Sequence, residues 1–513
     1  MSTVVPPTYL AALVLVFILV RLRRIASVSA LLLQDVAYYL PPPASILESL
    51  NVPIAAKPKF QKPEKTIGER VQVMQFGMTP IRTGSLDKSL FFDVYDTLVL
   101  VTVAAVVVFA FMQFVPLGVA DPSAYLLYGA LAVALLFPFL IQYGMSSYEA
   151  KLGVGVALVS TIVALFSLFA PPGLLDVDVE GAAASMHNRW QLVLEAMGTS
   201  SSSSASSTLT PLWHALILGA VAGLISSTTF LPAFRFARMY TDFVSSKAIP
   251  ASTKLLLHLN MALPLVVGLA YVRPLTTSWL VGANATRCHD DASSSWIAPR
   301  DCGAIGVVSE STWRNARLYV VVAAALVRLL CYRSHMQYFL LEAKPKATAL
   351  LLVKGRVDTQ AIVDAIVVPL QYLPVVCVQY LAPAVLWLAS ALLLQRKAHR
   401  CFGVFDFLFA VGAIPMIPSL QCAATTAAML PAAPAFHWSG PDELSWTDLA
   451  DLVQGLHAFP VAEPLWFESV LGFLVWWSAT SWFVLSLVGL VYWRHAEKLQ
   501  QNWSVGRRQT KVA

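Results

Sequence analysis

In the stretch Arg317 to Leu341, RLYVVVAAALVRLLCYRSHMQYFLL, an apolar run is interrupted by basic side chains at Arg317, Arg328 and His335. Spacings of 11 and 7 put these three on one face of a helix that turns about 100° per residue, with Arg333 and Gln337 on the other. Leu318 to Leu341 supplies 24 positions, enough for a bilayer crossing that takes about 20 apolar residues at about 1.5 Å each. Arg328 falls near its centre, where an arginine costs roughly 2.5 to 3.5 kcal/mol on insertion scales. It therefore has to meet partners or water rather than lipid. Two chemistries fit such a residue: a buried bonding partner that holds helices together, or a charge beside the path of a transported ligand. Arg333 and His335 lie near the inner end of the span, within snorkelling reach of the interface.

The other polar residues inside apolar runs are Asp93 and Asp96 at the second run, His214 in the fifth, His258 and Asn260 in the sixth, and Gln371 and Gln379 in the eighth. Depth along the helices pairs Arg328 with Gln379 or Tyr380, or with the His258 and Asn260 region, and pairs Asp96 with Arg333 or His335. Gly219 and Gly223 form a small-xxx-small pair that allows close helix approach. Pro264, Pro369, Pro374 and Pro383 kink their helices and free carbonyls, which suit a water-filled pocket or ordinary packing. No HExxH, GxSxG, phosphate-cradling GxxxxGK or dinucleotide glycine fingerprint is present, and no histidine pair has ligand spacing on one helix. The expectation is a protein without catalytic residues, metal or cofactor, partnered by membrane lipid and other membrane proteins such as ion channels rather than by nucleic acid.

Composition sets the elements that carry these residues. With 57% apolar and 12% charged residues and a mean hydropathy of +0.67 over 513 residues, the chain is an integral membrane protein. Its apolar runs read as nine spans of an all-α polytopic bundle: Val4 to Val20, Tyr95 to Val115, Ala124 to Tyr143, Leu152 to Ala170, Leu212 to Leu231, Leu255 to Val272, Leu318 to Leu341, Ile366 to Leu394 and Leu465 to Trp493. Basic residues follow the first run, at Arg21, Arg23 and Arg24, which indicates a first helix with its amino terminus outside rather than a cleaved signal. Lys and Arg then fall 24 on the inner segments against 8 on the outer ones, as the positive-inside rule expects.

The organisation follows as residues 1–94, a first helix with a basic cytoplasmic segment, then 95–493, the bundle with outer loops 171–211, 273–317 and 395–464, then a basic tail 494–513. Ile25 to Tyr39 reads as an interfacial helix stopped by Pro41 to Pro43. KPKFQKPEK (57–65) and GTSSSSSASST (198–208) read as solvated linkers. Phe402 to Leu420 is apolar enough to span but carries Asp406, Pro415 and Pro418, so it is expected as a re-entrant outer element. Cys288 and Cys302 share one outer loop, Cys401 and Cys422 another, where oxidation to disulfides is possible chemistry. Asn284 heads a glycosylation sequon in the first of these loops, and Asn502 heads another in the inner tail, where it stays unmodified.

TFLPAFRFARMYTD (229–242), LLLHLNMALPL (255–265), VRPLT (272–276), LVRLLCYRSHMQYFL (326–340), VQYLAPAVLWL (378–388) and FLVWWSA (473–479) together resemble the transmembrane protein 161 family, with RSH and HLN closer in wording to the B-type member. The match is specific over residues 210–395 and 465–493. The resemblance implies a polytopic membrane protein of unestablished biochemical activity, tied for B-type members to damping potassium and calcium currents and to heart rhythm, and for A-type members to oxidative-stress and DNA-damage responses. Arg235, Asp242, His258, Asn260, Arg328, Arg333, His335, Gln379, Pro383, Trp476 and Trp477 carry over as motif members, with no role attached. The expected location is the plasma membrane or the endomembrane system. The alternative reading is a transporter or channel whose polar path passes Arg328.

Overall fold

The computed structural model describes residues 7–23, 27–51, 76–81, 86, 89, 91–114, 122–143, 147–169, 174–196, 209–247, 249–276, 280, 310–352, 358–397 and 464–509. Eight helical stretches are long and apolar enough to cross a membrane: Phe92–Gln113, Pro122–Gln142, Ala150–Leu168, Pro211–Ser245, Ala251–Ala270, Trp313–Leu351, Thr359–Lys397 and Leu465–Ala496. A further apolar helix, α1 (Pro7–Arg23), has 17 residues, the short end of what a bilayer crossing takes. The result is an all-α polytopic bundle, and its only sheet among the described residues is two short strands.

After α1 come α2 (Val28–Leu33), β1 (Ala37–Tyr39), α3 (Ala44–Asn51) and β2 (Met78–Pro80). The interfacial helix expected over Ile25 to Tyr39 is therefore cut short. Asp35 takes a left-handed backbone, with φ 68°, which ends helical propagation. Ala37 then pairs with Pro80 and Tyr39 with Met78 in an antiparallel ladder. On the other edge of β1 the Gln337 side chain acts as a third strand in miniature. Its Oε1 accepts from Ala37 N at 2.8 Å and its Nε2 donates to Ala37 O at 3.0 Å.

The bundle continues with α4 (Phe92–Phe114), α5 (Pro122–Tyr143), α6 (Ser147–Leu168), α7 (Val179–Ala196), α8 (Leu209–Ser245), α9 (Ala251–Ala270), α10 (Arg273–Thr276), α11 (Glu310–Leu330), α12 (Tyr332–Leu341), α13 (Ala343–Leu351), α14 (Thr359–Lys397) and α15 (Pro464–Gln509). At its centre is α14, where every residue from Leu373 to Trp387 is buried, as happens when a helix is apolar on all sides. It packs on α4, α5, α11 and α15, while α8 packs on α6 and α15. Gly219 and Gly223 do set the α6–α8 seam. A Cβ at Gly223 would meet Thr161 Oγ1 at 2.2 Å and the Ala157 carbonyl oxygen at 2.8 Å, so only glycine lets the two backbones come this close.

Two helices depart from the expected bounds. The fifth span does not stop at Leu231: α8 runs through Pro232 to Ser245, with the proline inside the helix rather than at its end. Arg235 is thereby drawn from an inner loop into the bundle. The seventh span is not one helix but α11, α12 and α13 in line, interrupted at Cys331 and Glu342. Phe402 to Leu420, the linkers 57–65 and 198–208, the sequon at Asn284, and Cys288, Cys302, Cys401 and Cys422 all lie outside the described residues.

Candidate functional site: an arginine caged by aromatic rings

The interruption at Cys331 follows Arg328 by three residues, and it is around Arg328 that the bundle converges. Arg328 is 0% exposed. Its guanidinium carbon lies 3.5 Å from the ring centre of Trp482 on α15, 4.5 Å from Tyr380 and 5.7 Å from Trp387, both on α14. Aromatic faces carry negative quadrupole potential, and a desolvated cation over such a face gains about 2 kcal/mol or more. The three rings thus do part of what water does for an exposed arginine.

Hydrogen bonds lock the same pair of helices reciprocally. Arg328 Nε donates to the Tyr380 carbonyl at 2.9 Å, and the Tyr380 hydroxyl donates to the Arg328 carbonyl at 3.2 Å. Asn260 Nδ2 on α9 donates to that hydroxyl at 3.2 Å. Trp387 is held in turn, its Nε1 donating to Ser478 Oγ on α15 at 2.7 Å. His335 completes the layer, stacked on Tyr380 with ring centres 4.4 Å apart and planes 18° from parallel. Arg328 Nη1 and Nη2, both His335 ring nitrogens and Trp482 Nε1 are buried without a hydrogen-bond partner among the described residues.

Of the partners expected for Arg328, Gln379 or Tyr380 or the His258 and Asn260 region, the structure pairs it with Tyr380, and Asn260 joins only through the Tyr380 hydroxyl. Other expectations are corrected. Gln379 Oε1 accepts from Arg235 Nη1 at 3.0 Å instead, since α8 reaches deeper than its hydropathy indicated. His258 is exposed and outside the layer, bonded through Nδ1 to the Tyr240 hydroxyl at 2.7 Å. Asp96 meets neither Arg333 nor His335. It forms an ion pair with Arg23 and accepts from Ser29 Oγ at 2.6 Å and Ser27 Oγ at 3.2 Å, because α2 folds back on α4. Arg333 is exposed and donates to Leu31 O at 3.2 Å. Asp242 accepts from the Tyr338 hydroxyl, and Glu342 pairs with Arg238 at 3.2 Å and Lys346 at 3.0 Å.

These two polar groups are connected. Tyr332 OH donates to Tyr95 OH at 3.0 Å, Tyr95 OH donates to Ser29 O at 3.0 Å, and the Tyr332 ring lies 6.1 Å from that of Tyr380. A tyrosine relay thus joins the Asp96 cluster to the arginine layer.

Next to Gln379 a cavity of about 20 Å³ is lined by Ala134, Pro138, Thr228, Thr229, Pro383 and Ser478 among others. Its chemistry follows from proline, which has no N–H for the carbonyl four residues earlier. Pro138, Pro232 and Pro383 withdraw that donor from Ala134, Thr228 and Gln379, and all three of those residues line the cavity. A space of this size has room for about one water molecule.

Sequence reading gave Arg235 only as a motif member without a role and Arg23 only as a topology signal, and it passed over Trp387 and Trp482 of the cage and Ser29 of the second cluster. Arg235 and Arg23 had been assigned to loops, and a tryptophan in an apolar helix gives no signal that separates a cage wall from packing. No solved structure matches this chain. Residues 8–497 match the family described as "Predicted transmembrane protein 161AB", and with nearly the whole chain covered, Arg328 and its cage included, the protein belongs to that family.

Proposed function

We propose that this protein is a non-enzymatic regulator of membrane excitability, acting at the plasma membrane on potassium and calcium currents, and through them on cardiac rhythm, by contact with ion channels or related membrane proteins. The direction comes from the family likeness and from the B-type wording of RSH (333–335) and HLN (258–260). What supports a regulator over a conducting protein is the use made of the deepest polar groups. Arg328, Gln379 and Asn260 are each engaged by a side chain or carbonyl on another helix, so they serve as ties between helices. Around it, α1 and α6 present exposed apolar side chains such as Phe17, Ile162 and Phe166 to the membrane plane.

Current recordings on the purified full chain in liposomes test this, with the chain alone and with a potassium or calcium channel reconstituted beside it. The expected result is a changed channel current and no conductance from the chain alone. Conductance without a channel overturns the reading in favour of a transporter or channel passing the Arg328 layer, which the small cavity beside Gln379 favours as the second reading. No effect in either preparation overturns both.

A further inference from the structure

At the basic end of the bundle α8, α9 and α15 come together, and close contacts fix their relative levels. A Cβ at Gly489 of α15 would meet Ala237 Cβ of α8 at 2.8 Å, and a Cβ at Gly268 of α9 would meet Thr480 Oγ1 of α15 at 2.8 Å. Counting on from these contacts at about 1.5 Å per residue brings Tyr240 of α8, Lys254 and His258 of α9, and Arg494 of α15 within about 6 Å of one another in depth. Side-chain contacts bear this out. The Tyr240 hydroxyl and His258 Nδ1 are 2.7 Å apart, and Arg494 is near enough to act on that hydroxyl electrostatically. Lys254 stands one turn before His258 on α9 and donates to the Val244 carbonyl at 3.0 Å, which uses one of its three N–H groups.

The two faces of α8 here differ in charge balance. On one, Arg238 stacks 4.8 Å from the Trp493 ring and pairs with Glu342 at 3.2 Å, while Asp242 accepts from the Tyr338 hydroxyl. Tyr240 is two residues from each, about 200° round the helix and so on the other face. On that face the charges are basic only: among the described residues no carboxylate pairs with Lys254 or Arg494. His258, Arg494 and the adjoining His495 are exposed, so an anion can reach them.

The surface beside this cluster is apolar. Towards the middle of the bundle Leu259 and Val266 on α9, and Val484, Val488 and Val491 on α15, are exposed, Val491 by 64%. Tyr492 and Trp493 mark the boundary between the two zones, as aromatic side chains do at headgroup level. A free anion would meet the charges and leave the apolar stripe unused. A phospholipid uses both.

We propose that Arg494, Lys254, His258 and Tyr240 form a binding site for the phosphate of an anionic glycerophospholipid, whose acyl chains lie along the exposed apolar residues of α9 and α15. Basic pockets between membrane helices take such headgroups. The site stands whether the protein regulates channels or conducts.

The test melts the full chain in detergent while phosphatidylserine, phosphatidylcholine or glycerophosphoserine, the headgroup without its chains, is titrated in. Ligand linkage predicts a saturable rise in melting temperature with phosphatidylserine alone. At about fivefold per basic residue near an anionic lipid surface, Arg494→Gln is expected to raise the half-saturating concentration about fivefold, and Lys254→Gln with Arg494→Gln about thirtyfold. Arg333→Gln removes the same charge at another corner, where Arg333 donates to Leu31 O, and is expected to leave half-saturation unchanged. An equal shift in Arg333→Gln and Arg494→Gln overturns the proposal, because attraction to a basic surface in general would then account for binding. An unchanged half-saturation in Arg494→Gln overturns it too, and that exposed single variant decides the matter should the double variant fail to fold. The same rise with glycerophosphoserine overturns the lipid assignment, and the same rise with phosphatidylcholine overturns the requirement for a net anionic headgroup.

Discussion

Arg317 and Arg328 lie eleven residues apart on one face of α11, both buried, and they are accommodated by opposite means. Arg317 Nη1 meets Asp176 Oδ2 at 2.7 Å and lies 4.8 Å from the Tyr271 ring. Arg328 has three rings and, among the described residues, no carboxylate. The difference tracks position along the helix. Near the start of α11 the segment 174–176 docks on the end of α9, with Asp176 N bonded to Tyr271 O at 2.8 Å and Arg273 N to Leu174 O at 2.9 Å. This loop delivers a carboxylate that is itself 16% exposed. At the level of Arg328 the described neighbours are helices, and a carboxylate there would have to be stripped of water as well, at several kcal/mol per ion. Aromatic faces stabilise the cation without introducing a second buried charge.

The contrast breaks most visibly at Trp482. Trp482→Leu removes the nearest ring and leaves the guanidinium buried with less to face, so it is expected to destabilise the protein by about 3 to 5 kcal/mol. Arg328→Met deletes the charge along with its desolvation cost and is expected to cost less, about 1 kcal/mol or below. Thermal unfolding of both variants in detergent checks the order. A larger loss in Arg328→Met would mean that the cage depends on its guanidinium cation rather than the cation on its cage.

A second change sharpens what the ring and its hydroxyl each contribute. Tyr380→Phe keeps the face presented to Arg328 and the stack with His335, but removes the bonds to Asn260 Nδ2 and the Arg328 carbonyl. The expected cost is about 1 to 3 kcal/mol, the range for leaving buried polar groups unmatched. The same unfolding measurement reads it. A loss as large as that of Trp482→Leu would show the hydroxyl, not the face, to be the stronger support.

How much of this was legible in the sequence depends on range. Arg328 announces itself as a charge in a span, and depth narrows its partners to Gln379 or Tyr380 or the His258 and Asn260 region without choosing among them. The glycine pair at Gly219 and Gly223 was legible for the same reason, since its i, i+4 spacing lies on one helix. The cage was not. Trp387 and Trp482 are 95 positions apart, and which indole faces a cation is set by how α14 and α15 rotate against each other. Arg235 was hidden because the apolar run ends at Leu231, whereas α8 continues through Pro232 to Ser245. Arg23 and Ser29 were hidden because the fold-back of α2 onto α4 depends on the left-handed turn at Asp35 and on Gln337 reaching Ala37 from 300 residues away. Helix periodicity reports which face is apolar; it carries no information on which helix will cover it.

The smallest effect, and the one that tests the positional argument most directly, is at the other arginine. Asp176→Asn leaves Arg317 with the Tyr271 face and an amide in place of a carboxylate, and also removes the longer 4.0 Å contact with Arg273. Because Asp176 is partly exposed, the loss is discounted for solvent screening and is expected near 1 kcal/mol or less. Ionic strength separates it from the cage. The Debye length falls from about 10 Å at 0.1 M to about 3 Å at 1 M, so added sodium gluconate is expected to shrink the gap between wild type and Asp176→Asn. The gap between wild type and Trp482→Leu is expected to stay, since the cage is buried and its partners are uncharged. Melting both variants across that series decides the point: equal salt sensitivity in the two would mean that water reaches Arg328 as it reaches Asp176, and the distinction between a solvated ion pair and a dry aromatic cage would fall.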